Sequence, residues 1–142
     1  MRVVLDTNVV VSAVMSARGA PNAIVRAWAN DEFQWLVNAS IIAEYADVLT
    51  RPDIIRYIRL TTAEIEHLLA ALSACEHVSE HDPVTGAVAA DPGDEPLLTC
   101  AVHGNADVLV SGDAHLTALK AYRGIPIVTP AVFLIMRDAQ SP

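Results

Sequence analysis

Short apolar runs alternate along this chain with stretches whose apolar residues recur every three or four positions. Residues 2–6, 33–37, 107–110 and 125–128 read as strands, and their runs, such as Val3-Val4-Leu5 and Val108-Leu109-Val110, suit strands covered on both faces of a parallel sheet. Between them, Val9, Val10, Ala13 and Val14 mark a helix ending near Arg18-Gly19, and Pro21 opens another from a first-turn position. Ile41, Tyr45, Val48 and Leu49 give a helix over residues 40–49 with a boundary at Pro52. Thr61 and Glu64 stand in capping-box spacing ahead of the stripe Ile65, Leu68, Leu69 and Leu72, which predicts a helix over residues 61–75.

Residues 76–93, with Pro83, Gly86, Pro92 and Gly93, read as a loop with a short strand near His77 and Val78. A helix from about Asp94 turns Leu97, Leu98 and Ala101 inward, another is expected over residues 114–122, and Thr129-Pro130 opens a last one reaching Met136. This order predicts one α/β domain over residues 1–142, with a mostly parallel sheet flanked by helices.

Composition supports a packed chain. Hydrophobic residues make up 53% and charged residues 18% of 142, enough apolar surface to offset the entropy of ordering. No apolar stretch approaches the roughly 18 residues of a membrane span, and Asp6 interrupts the apolar N-terminus, so no membrane or signal segment is expected and the cytoplasm is the expected compartment. Cys75 and Cys100 lack metal-site spacing and read as small hydrophobes. A net charge of −8 with nine basic residues argues against a general nucleic-acid binder. Bound cations would relieve part of that objection.

Four acids stand out against this background. Asp6 and Asp113 each follow an apolar strand at its C-terminal end, the edge where open parallel sheets hold ligands. Asp94 opens a helix, and Glu44 falls among the apolar positions of its own helix, on the face expected to meet the core. Each has an ordinary alternative as a cap, a turn residue or an ion-pair partner. Together they make a candidate cluster whose mutual repulsion hard cations such as Mg²⁺ or Mn²⁺ would neutralise. Two such ions about 4 Å apart suit phosphodiester hydrolysis.

The motifs Leu5-Asp6-Thr7-Asn8, Glu44 within residues 42–52, Asp91-Pro92-Gly93-Asp94 before Leu97-Leu98, and Val110-Ser111-Gly112-Asp113 resemble, in order, the PIN-domain ribonucleases, most closely the VapC-like toxins. The resemblance implies a three-layer fold around a sheet of about five strands. It also implies an acidic Mg²⁺ or Mn²⁺ site at Asp6, Glu44, Asp94 and Asp113, and cleavage of single-stranded RNA. By the same comparison Asn8 and Ser111 are supporting residues, with Ser111 where the family frequently has threonine, Asp91 supports Asp94, and a homodimer controlled by a cognate antitoxin is expected.

Arg51, Arg56 and Arg59 are candidate phosphate contacts, with Arg56 and Arg59 as neighbours if their segment is helical, or else a solvated helix face. Two rivals stand beside this reading. One is an aspartate phosphoacceptor domain, which Asn8 and the single lysine, Lys120, fit poorly. The other is a binding module of the same fold that holds no metal.

Overall fold

A computed structural model describes residues 1–85 and 92–140. Five strands form the sheet: β1 (Arg2–Leu5), β2 (Gln34–Trp35), β3 (Val108–Val110), β4 (Ala121–Tyr122) and β5 (Ile125–Val128), in the order β2-β1-β3-β5-β4. All neighbours are parallel except β4, which runs antiparallel to β5 at one edge. The expected mostly parallel sheet of about five strands flanked by helices is therefore present.

Its centre is built from β-branched and leucine side chains closed off from water. Val3, Val4, Leu5, Val108 and Val110 are fully buried, and Val3, Val4 and Leu5 pair with Val108, Leu109 and Val110. The chain passes from β1 to β2 on one side, then crosses to β3 on the other. That reversal leaves a crevice at the C-terminal ends of β1 and β3, the usual ligand position in such sheets.

The helices are α1 (Thr7–Met15), α2 (Ala20–Ala29), α3 (Ala39–Leu49), α4 (Pro52–Ile55), α5 (Thr62–Ser73), α6 (Glu95–His103), α7 (Ala114–Thr117) and α8 (Pro130–Gln140). Gly19 caps α2 at φ +97°, a conformation favouring glycine, and Pro21 occupies the first turn. The predicted capping box of α5 is formed by Thr61 and Glu64. α1 packs on α2 and α3, α2 on α8, and α6 on β1 and α3. Trp35, fully buried, meets Trp28 and Tyr45 edge-on and donates its indole N–H to the Tyr45 hydroxyl. The buried residues form one contiguous apolar cluster. Cys100 lies inside it, and burial pushes its thiol up to about 12, consistent with packing rather than chemistry.

Several expectations give way. The helix expected over residues 114–122 stops at Thr117. Lys120 takes a positive φ, and Ala121 and Tyr122 turn into β4, pairing with Pro126 and Ile125. The spacing of Leu116, Leu119 and Tyr122 is helical, but the hydrogen bonds offered by β5 decide the outcome. The strand over residues 33–37 shortens to β2, while Val37 forms an isolated bridge with His77, near the short strand expected there. Residues 56–59 are not helical, so Arg56 and Arg59 are not neighbours on a helix face. Of the loop at residues 76–93, residues 86–91 lie outside the described part. Among the described residues no helix is long and apolar enough to cross a membrane.

Candidate functional site

The end of β1 sets the first acid. Leu5 is buried and paired, the Asp6 backbone N–H continues the ladder by donating to the Val110 carbonyl at 2.9 Å, and the chain then turns into α1. The Asp6 side chain caps that helix, one carboxylate oxygen accepting the Thr7 backbone N–H at 2.7 Å. Its other oxygen accepts the Ser111 hydroxyl at 2.7 Å and the Asn8 amide at 3.3 Å.

Ser111 comes from the neighbouring strand end and is fully buried. Its backbone N–H donates to Val128 of β5, and its hydroxyl, while donating to Asp6, accepts the Asp113 backbone N–H at 2.9 Å. One hydroxyl thus ties together the turns carrying Asp6 and Asp113. The Asn8 side-chain carbonyl accepts the Gly112 N–H at 3.0 Å and closes the same crevice from the first turn of α1. Asp113 caps α7 through the His115 N–H at 2.9 Å.

Glu44 arrives from α3. Its carboxylate accepts the Thr7 hydroxyl at 2.6 Å, so one residue, Thr7, binds Asp6 through its backbone and Glu44 through its side chain. Glu44 is exposed rather than on the core face of α3, which corrects the helical-spacing argument. Its neighbour Tyr45 takes the buried position. The Tyr45 hydroxyl donates to the Leu5 carbonyl at the end of β1, leaving Glu44 at the rim of the crevice. The sequence alone does not mark Thr7 or Tyr45 as site residues. The signal for Thr7 was its place between Asp6 and Asn8, whereas Tyr45 looked like one more apolar position in a stripe.

Asp94 is half-buried at the end of a 3-10 turn, Pro92–Asp94, immediately before α6. The first turn of α6 is fastened to the start of α3, because the Asn38 side-chain amide donates to the Pro96 carbonyl at 2.9 Å. Asp91 lies outside the described residues. Arg51 pairs with Asp47 at 2.7 Å across one turn, Arg56 lies over the Tyr57 ring, and the Arg59 backbone N–H donates to the Val14 carbonyl.

Burial holds the Asp6 carboxyl above its ordinary value. The hydrogen bonds from Ser111 and Thr7 act against that shift, while the charges of Glu44 and Asp113 add to it. Asp6 therefore lies within electrostatic reach of both Glu44 and Asp113. Among the described residues no group of three or more His, Cys, Asp or Glu side chains stands close enough to ligate one ion as the rotamers stand. The donor chemistry does suit a hard cation, since these are carboxylates and, among the described residues, one oxygen each of Glu44 and Asp113 takes no hydrogen bond.

No curated protein matches the chain. A family model described as the PIN domain matches residues 2–115, which include Asp6, Glu44, Asp94 and Asp113 together with every strand end that carries them. By this match over most of its length, the chain belongs to the PIN-domain family.

Proposed function

We propose that this protein is a Mg²⁺- or Mn²⁺-dependent endoribonuclease that hydrolyses phosphodiester bonds of single-stranded RNA, acting as the toxin of a toxin–antitoxin pair. PIN domains are in general nucleases that use divalent metals, and the finer reading rests on this chain's own residues. The observation that carries it is the Ser111 hydroxyl joining Asp6 to the Asp113 turn while Thr7 joins Asp6 to Glu44. A fold needing only caps and turns has no cause to gather these acids at one sheet edge against their repulsion.

In this reading Asp6, Glu44, Asp94 and Asp113 hold the metal. When bound, the metal supplies Lewis-acid stabilisation of the phosphate and a more acidic water. The protein supplies placement. Ser111 and Asn8 fix the rotamer of Asp6, the Asp113 turn is held through its backbone, and Thr7 keeps Glu44 at the rim. Asp94 closes the cluster from the start of α6, supported by the Asn38–Pro96 hydrogen bond between α6 and the helix carrying Glu44. Asp91 supports Asp94 in the same proposal. A homodimer and a cognate antitoxin belong to this reading as partners, the antitoxin with basic character to suit a chain of net charge −8.

Incubation of labelled single-stranded RNA with wild type and Asp6→Asn, with Mn²⁺ or with a chelator, tests the activity. Internal cleavage that needs both Mn²⁺ and Asp6 is expected. Cleavage that persists in chelator or in Asp6→Asn would overturn the metal-site reading.

A further inference from the structure

The chain carries seven aromatic side chains. Phe33, Trp35, Tyr45 and Phe133 are buried and Trp28 and Tyr122 half-buried, whereas Tyr57 is 60% exposed. Tyr57 also sits in the most basic surroundings of an acidic protein. Residues 51–59 hold Arg51, Arg56 and Arg59 against one carboxylate, Asp53, and so carry three of the nine basic residues. Among the described residues Arg56 and Arg59 make no ion pair. The Arg56 guanidinium lies 5.2 Å from the centre of the Tyr57 ring. It lies over a ring that stays largely exposed to solvent.

The fold joins this segment to the two helices that carry Glu44 and start at Asp6. α3 starts against the first turn of α6, passes the end of β1 where Tyr45 and Glu44 make their contacts, and leads into residues 51–59. Arg51 follows Glu44 by seven residues and stands just past the C-terminal end of α3, as the extended cap of α4. The far end of the segment is fastened to the last turn of α1, eight residues along the helix from the Asp6 cap, through the Arg59–Val14 backbone hydrogen bond. The other tyrosine–arginine contact, Tyr122 with Arg123, lies in the β4–β5 turn before β5 begins, at the opposite edge of the parallel sheet from the acids.

We infer that residues 51–59 are a platform for single-stranded RNA, with Tyr57 stacking on a base of the bound strand and Arg56 and Arg59 contacting the adjoining phosphates. This rests on the ribonuclease reading above. Stacking tolerates any base and suits a single strand, whose bases are free to splay out. The arginines offset locally the repulsion that a net charge of −8 presents to a polyanion.

Two measurements on the full chain test it: anisotropy of a fluorescein-labelled, mixed-sequence single-stranded RNA, and Mn²⁺-dependent hydrolysis of bis(p-nitrophenyl) phosphate, a diester with no base to stack. Tyr57→Ala is expected to weaken RNA binding by about 5- to 150-fold, the range that one base–aromatic stack supplies, and to hydrolyse the small diester at the wild-type rate. Tyr57→Phe should keep wild-type affinity because it keeps the ring. Arg59→Gln should weaken binding and lower the salt slope by about one.

Wild-type RNA affinity in Tyr57→Ala, with the small diester still hydrolysed, would overturn the platform alone. The same result with a changed oligomeric state would assign this surface to a protein contact instead. Failure of the wild type to hydrolyse the small diester would overturn the ribonuclease reading and this inference with it.

Discussion

Two helix starts in this protein use a carboxylate in the same way and leave it in opposite states. At the start of α5, the Glu64 side chain accepts the Thr61 N–H and Thr61 returns the bond to the Glu64 N–H. Glu64 is exposed, and hydrogen bonding to the Thr61 backbone and side chain holds its carboxyl below the ordinary range. At the start of α1, Asp6 accepts the Thr7 N–H and the Ser111 hydroxyl, yet burial leaves its carboxyl above the ordinary range, with Glu44 and Asp113 pushing the same way. The first arrangement stabilises the charged state. The second holds a charge the metal-free fold disfavours, the state that the proposed cation would stabilise.

The largest expected effect is on activity at α1. Asp6→Asn should lower metal-dependent RNA cleavage by more than about a hundredfold, since even partners one bond removed from a metal ligand cost about 10- to 100-fold. Thr61→Ala at α5 should leave the rate unchanged in the same assay. Equal losses in both variants would dissolve the contrast.

Ser111→Ala comes next. It leaves one Asp6 oxygen with only the long Asn8 contact and removes the acceptor of the Asp113 N–H. Mn²⁺ affinity should fall by about 10- to 100-fold, read by calorimetry. Ser111→Thr, which keeps the hydroxyl, should bind close to wild type.

The pH dependence of metal-free stability should have opposite signs at the two starts. A carboxyl raised on folding, Asp6, contributes stability that is complete below its unfolded value near 3.8 and is lost as pH rises through its folded value. Asp6→Asn should therefore melt higher than wild type at neutral pH in chelator, with the gain shrinking as pH is lowered toward 4. A carboxyl lowered on folding, Glu64, contributes stability present above its unfolded value near 4.5 and lost as pH falls through its folded value. Glu64→Gln should melt lower than wild type at neutral pH, and that deficit should vanish in acid. Melting curves from pH 3 to 8 would expose a shared sign, which would sink the comparison.

The smallest effect is that of the cap itself. Thr61→Ala should cost about 1 kcal/mol, a drop of roughly 3 °C for a chain of this size.

The two starts also differ in how far the sequence revealed them. The α5 capping box is local, needing only Thr61, Glu64 and the apolar stripe behind them, and it forms as spaced. Asp6 and Asp113 were legible because each ends an apolar strand run, and the strand order puts those ends side by side. Glu44 was legible as an unusual acid among apolar neighbours, but the direction inferred for it was wrong. Helical spacing cannot tell the buried position of Tyr45 from the rim position beside it until the Leu5 carbonyl and Trp35 claim the tyrosine. Thr7 escaped notice because its hydroxyl bond joins residues 37 apart in sequence. The end of α7 escaped for a similar reason: Ala121 and Tyr122 become strand only because β5 lies alongside. Local chemistry was readable in sequence, and long-range pairing was not.

Calorimetric titration of Mn²⁺ into the wild type, Asp6→Asn and Asp94→Asn tests the central claim most directly, because it needs no knowledge of the RNA. Saturable binding by the wild type, strongly weakened in both variants while each keeps a cooperative melting transition, is the predicted result. No saturable binding by folded wild type, or equal binding by all three, would contradict the claim that these acids are gathered to hold a metal.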